Sequence, residues 1–128
     1  MAWFKKFFAR KEDALAFALE VIHEGAEIID IYEAEEEIGD LWIGPVWWVS
    51  WNKPERGEID YVVAKAFLEK VLKDDKVEAV KIVARGDEMA LSRWFRGNTR
   101  ADRVYLKGGK VVKVALRRRS WREKEIKK

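Results

Sequence analysis

The stretch that most constrains this chain is the alternation of apolar and polar residues around Gly108-Gly109. Val104 and Leu106 precede the glycines, and Val112, Val114 and Leu116 follow them, each separated by polar side chains. That period of two belongs to strands with one buried face, and two such runs about a glycine pair read as a β-hairpin. A two-residue loop would set Val104 against Lys113 and mix apolar with charged side chains on one face. A three-residue loop sets Val104 against Val114 and Leu106 against Val112. Register follows the buried face, so the longer loop is expected. The opposite face then carries Arg103, Tyr105, Lys107, Lys113 and Arg117.

Trp3 to Glu24 reads as helix, with Phe4, Phe7 and Phe8 and then Leu15, Phe17, Ala18, Val21 and Ile22 at helical spacing. Gly25 stands where a C-terminal cap belongs. Asp13 offers a second helix start, which would leave residues 1–11 as a separate arm. Ala26–Glu37 suits a strand or a helix face, and Ile28-Ile29-Asp30-Ile31-Tyr32 favours the strand. Gly39-Asp40 turns it into a second strand, Leu41–Trp51, which Pro45 confines to an edge or a bulge because proline donates no ladder hydrogen bond. A loop over residues 52–57 leads into a helix traced from Ile59 to Val71 and ending near Asp74-Asp75, a strand over Val77–Ala84 and a short helix over Asp87–Phe95, closed by Gly97. Residues 119–128 form a charged tail. The fold class expected is α+β: a curved, mostly antiparallel sheet packed on two main helices, with a C-terminal β-hairpin. This order resembles, at the level of fold alone, the cone-like architecture of nuclear transport factor 2.

The 128 residues suit one domain, and 48% hydrophobic with 38% charged residues allow a real core beneath a charged surface. There is no cysteine, hence no disulfide or thiolate metal site, and no cofactor is implied. Glutamine is absent and asparagine occurs only as Asn52 and Asn98, a depletion typical of hyperthermophile proteins. The longest apolar runs fall far short of the roughly 20 residues of a membrane span. With no signal-peptide order at the N-terminus, a cytoplasmic location is expected.

Charge is unevenly distributed. Residues 1–64 hold six lysines and arginines against fourteen acidic residues, whereas residues 65–128 hold twenty against nine. A basic half of net +11 points to a polyanionic partner, and nucleic acid is the expected one. The candidate contacts are Arg93, Arg96, Arg100, Arg103, Tyr105, Lys107, Lys113, Arg117, Arg118 and Arg119, with Tyr105 able to stack on an unpaired base. Binding led by phosphate contacts would be weakly sequence-specific.

A second class of function is an interaction module, a homodimer included, built on Trp42, Trp47, Trp48 and Trp51. Trp47 and Trp51 are expected to be buried and Trp48 exposed to a partner. Phe4, Phe7 and Phe8 resemble the short motif by which replication proteins dock on the sliding clamp, with Met1 where that motif carries glutamine. The resemblance implies docking through those three rings. Enzyme chemistry is poorly supported: His23 is the only histidine, and Ser50, Ser92, Thr99 and Ser120 lie in no nucleophile-elbow context. Asp30, Glu33, Glu35–Glu37, Asp40, Glu58 and Asp60 supply carboxylates for Mg²⁺, but no E-x-K pattern of a metal nuclease follows Asp30.

Overall fold

The computed structural model describes residues 2–53, 58–98, 100–118 and 123–126. Eight strands and two α-helices alternate along them: β1 (Ala2–Phe8), α1 (Lys11–His23), β2 (Ile28–Ile38), β3 (Leu41–Lys53), α2 (Tyr61–Lys73), β4 (Val77–Arg85), β5 (Glu88–Phe95), β6 (Arg100–Lys107), β7 (Lys110–Arg118) and β8 (Glu123–Ile126). The strands form one open sheet in the order β1-β3-β2-β4-β5-β6-β7-β8, every pairing antiparallel. The α+β class, the antiparallel sheet on two helices and the C-terminal hairpin are therefore as the sequence suggests.

Both helices pack on the same side of the sheet. Ala14, Leu15, Ala18, Val21 and Ile22 of α1, and Ala64, Leu68 and Val71 of α2, are buried at helical spacing. They meet Ile29, Ile31, Val49, Ile82 and Leu91, which project to that side by the two-residue period of their strands. Helix α1 ends at Gly25 as expected. Its φ is 101°, the Gly25 N–H donates to the Ile22 carbonyl and the Ala26 N–H to Val21, both at 3.0 Å. This reciprocal closure is a Schellman cap, which glycine forms without Cβ strain. Asp60 caps α2 by accepting the Val63 N–H at 3.1 Å. Asn52, wholly buried, accepts the N–H groups of Glu27 and Ile28 at 3.0 and 2.8 Å and so fixes the entry into β2.

Two expected helices are strands. Residues 2–8 form neither the first turn of a helix nor an arm but β1, paired with the Trp47–Lys53 half of β3. A Phe4-Phe7-Phe8 spacing fits a helix face, yet a sheet edge was free to take these aromatic residues, which suit a pleated surface. Residues 88–95 form β5, because Gly86-Asp87 makes a two-residue turn with Gly86 at φ 63° and starts a hairpin rather than capping a helix. Pro45 lies in the part of β3 that β1 does not reach. There Gly44-Pro45 bulges opposite Glu35 between the Ala34–Val46 and Glu36–Ile43 pairs.

The β6–β7 hairpin combines both registers considered. Gly108-Gly109 is a two-residue turn, with φ of 56° and 79°, between Lys107 and Lys110. Leu106 faces Val111 rather than Val112, and a bulge then restores Tyr105 to Lys113 and Val104 to Val114. The extra residue, Val112, is exposed instead of buried. A bulge lets the chain keep both its favoured tight turn and its apolar face.

Candidate nucleic-acid interface

In an antiparallel sheet, directly opposed residues share a face. The pairings that put Ile29, Ile82, Leu91 and Val104 in one line under the helices therefore line up their neighbours on the other side. Three rows result. The central one runs Lys5, Ser50, Asp30, Lys81, Ser92, Arg103, Ala115. Above it run Phe7, Trp48, Tyr32, Ala79, Trp94 and Ala101. Below it run Trp3, Asn52, Val83, Ala90, Tyr105 and Lys113, with Arg85, Glu88 and Lys107 beyond. None of the aromatic residues in these rows belongs to the core cluster that includes both helices.

The face thus combines cations with rings. The Lys5 ammonium lies 4.2 Å from the Trp48 ring centroid and 5.8 Å from that of Tyr32. Phe7 packs on Trp48 at 5.1 Å. At the other end, Lys113 and Arg103 stand 5.1 and 5.8 Å from the Tyr105 ring. Arg103 donates from Nε to the buried Ser92 hydroxyl at 2.7 Å and from Nη1 to the Tyr105 hydroxyl at 3.2 Å. Trp3 and Phe7 remain about half exposed, at 53% and 44%. Asp30 is the carboxylate in the middle of the central row, which the register continues beyond Ala115 to Glu125 of β8. Burial pushes its pKa above the ordinary aspartate value, and Lys81, 3.9 Å away, offsets this in part.

Of the expected contacts, Arg103, Tyr105, Lys107 and Lys113 share this face, and the register puts Arg117 in line with Ala101. Arg93, Arg96 and Arg100 do not join them. Arg93 binds Asp102 through two hydrogen bonds on the helix side, and its pKa is raised chiefly by them. Arg96 forks onto Glu33 and donates to the Asp75 carbonyl. Arg100 stacks on Phe95 with 3.8 Å to the ring centroid. Arg118 pairs with Arg100 in the ladder, and Arg119 lies outside the described residues. Lys5, Lys81 and the rings of Trp3 and Tyr32 are the residues that sequence reasoning missed, whereas Trp94 is expected from the sequence, interleaved with the basic stripe. Alternation in β1 and β4 was the available signal.

The expected partner surface is also rearranged. Trp48 is only 7% exposed, sealed under Phe7 and Lys5, so it offers no free ring. Its indole Nε1 is the buried side-chain nitrogen left without a hydrogen-bond partner among the described residues. Trp47 is buried and Trp51 half-buried, while Trp42 is 69% exposed at the β2–β3 tip beside Ile38 and Leu41. Phe4, Phe7 and Phe8 do not share one face while β1 is paired: Phe4 stacks on Trp51 and Phe8 lies tilted against Phe17 on the helix side, and Phe7 points the other way.

Among the described residues no cluster of three or more acidic or histidine side chains is placed to hold a metal ion. No helix among them is long and apolar enough to cross a membrane. The fold and face define an α+β protein with an open sheet surface of alternating cations and aromatic rings. Comparison with protein-family models, with curated proteins and with solved structures finds no match.

Proposed function

We propose that the chain is a non-enzymatic nucleic-acid-binding protein whose contact surface is the helix-free face of the sheet. The observation that carries this reading is the register itself, which gathers Lys5, Lys81, Arg103 and Lys113 among Tyr32, Trp94, Tyr105, Trp3 and Phe7 on one surface. Cations neutralise phosphates and release counterions, and aromatic rings accept bases whatever their sequence. Against these stand Asp30 and Glu88, and the register adds Glu123 and Glu125 of β8 at the far edge, opposite Arg117 and Ala115. Lys5, Lys81, Arg85, Arg103, Lys107 and Lys113 still leave a cationic excess. Such contacts position a strand more than they read it, which makes weak sequence preference the expected behaviour.

The test is fluorescence anisotropy with mixed-sequence oligonucleotides at low and moderate salt. Affinity should fall steeply with salt, and Lys81→Gln with Lys107→Gln should lower it, while Arg96→Gln should leave it unchanged. Absence of binding at low salt would sink the proposal. So would loss of binding on Arg96→Gln with no effect of the Lys81 and Lys107 changes.

A further inference from the structure

At one end of this face, short side chains make a hollow. Val83 and Ala90 are directly opposed on β4 and β5, and Tyr105 is opposed to Ala90 on β6. The two small residues form a floor, the tyrosine a wall, and Arg85, Lys107 and Lys113 stand around the opening. The groove encloses about 590 Å³, within the roughly 300–1,000 Å³ common to small-molecule sites. Glu88 also borders it, opposed to both Arg85 and Lys107.

Resting on the nucleic-acid reading and refining it, we infer that this groove seats one unpaired nucleobase. The base stacks on Tyr105 over the apolar floor, with an adjoining phosphate held by Lys107, Lys113 and Arg85. Three features favour this ligand chemistry. An apolar floor and a ring accept a planar aromatic group, and the cationic rim accepts the charge attached to it. The Tyr105 ring is also fixed in advance, because its hydroxyl accepts from Arg103, which Ser92 anchors in turn. A platform already held in place loses little freedom when a base arrives. A duplex keeps its base faces stacked inside and offers such a surface only phosphates, sugars and the base edges of its grooves, none of which can stack on Tyr105. The groove therefore makes single strands the preferred partner.

The experiment compares a thymidine oligonucleotide, an abasic oligonucleotide of equal length and a duplex, each labelled for anisotropy. Wild type should bind the thymidine strand roughly 5- to 100-fold more tightly than the abasic strand, the range of one base–aromatic stack. Tyr105→Ala should lower that ratio by roughly fivefold or more, to what the other rings of the face contribute, whereas Tyr105→Phe should keep most of it. Ala90→Leu, which fills the floor and leaves the tyrosine in place, should lower it too and guards against misfolding of the first variant. Glu88→Gln should tighten binding to both strands equally. A ratio near one in wild type, or a ratio that survives both Tyr105→Ala and Ala90→Leu, overturns the inference while the broader proposal stands. Absence of binding to any of the three ligands removes both.

Discussion

Arg93 on β5 and Asp102 on β6 face each other across the ladder, joined by hydrogen bonds of 2.9 and 2.7 Å. Only 27% and 12% of the two side chains stay exposed, so this pair belongs to the architecture and not to a ligand surface. Hydrogen bonds involving charged groups contribute about 1.5–3 kcal/mol, and partial exposure of Arg93 brings the pair to the low end. Asp102→Ala should therefore cost about 1–2 kcal/mol in a denaturant titration. Arg93→Ala should leave oligonucleotide affinity at low salt unaltered.

Asp30 should report pH. Its folded-state pKa is raised, first by burial, so its protonated form favours folding. That contribution is whole below the ordinary aspartate pKa and disappears as pH rises through the raised one. Asp30→Asn should then melt higher than wild type at neutral pH, and the gap should close in acid. The same change removes a negative charge from the central row, with an expected gain of roughly two- to threefold in oligonucleotide affinity, for about 0.5 kcal/mol of repulsion.

Asn52 should be intolerant of truncation. Its carboxamide oxygen is the acceptor for two backbone N–H groups, and each buried donor left unmet costs about 1–3 kcal/mol. Asn52→Ala should lower stability by roughly 2–4 kcal/mol in chemical denaturation. A loss under half a unit on that scale would refute the bracket as described.

Gly44 sits at φ 145°, and a Cβ added there would stand 2.7 Å from the Glu35 Cα. Gly44→Ala should cost about 1–3 kcal/mol, with thermal melting as the readout. Gly39, whose added Cβ would meet nothing within 4 Å, is the matched comparison for the steric part.

The fold was legible where period and punctuation agreed. Gly25 closed α1, Val104 paired with Val114, and Pro45 marked the half of β3 that β1 does not reach. Reading failed at β1 and β5, where the spacing of Phe4, Phe7 and Phe8, or the helix-forming residues of Glu88–Arg93, met a tertiary setting that overrode local preference. The surface was half legible for a different reason. Arg93, Arg96 and Arg100 are neighbours in the chain but not in the site, whereas Lys5, Lys81 and Arg103 come from three distant strands. Their meeting depends on the sheet order, in which β1, β3 and β2 are not in sequence order.

The rows have a consequence for how this protein can change over generations. The pairing that sends Ile82, Leu91 and Val104 inward is the same one that sends Lys81, Ser92 and Arg103 outward. Because side chains alternate with a period of two, inserting one residue within β4, β5 or β6 would exchange the two sets beyond that point wherever no bulge, such as the one at Val112, takes up the extra residue. Charges would enter the interior and apolar groups would reach water. Substitutions can alter the outer surface one position at a time, but its spacing cannot drift without wrecking the interior. Purifying pressure on folding alone would therefore preserve the layout of this surface, even in descendants that no longer use it.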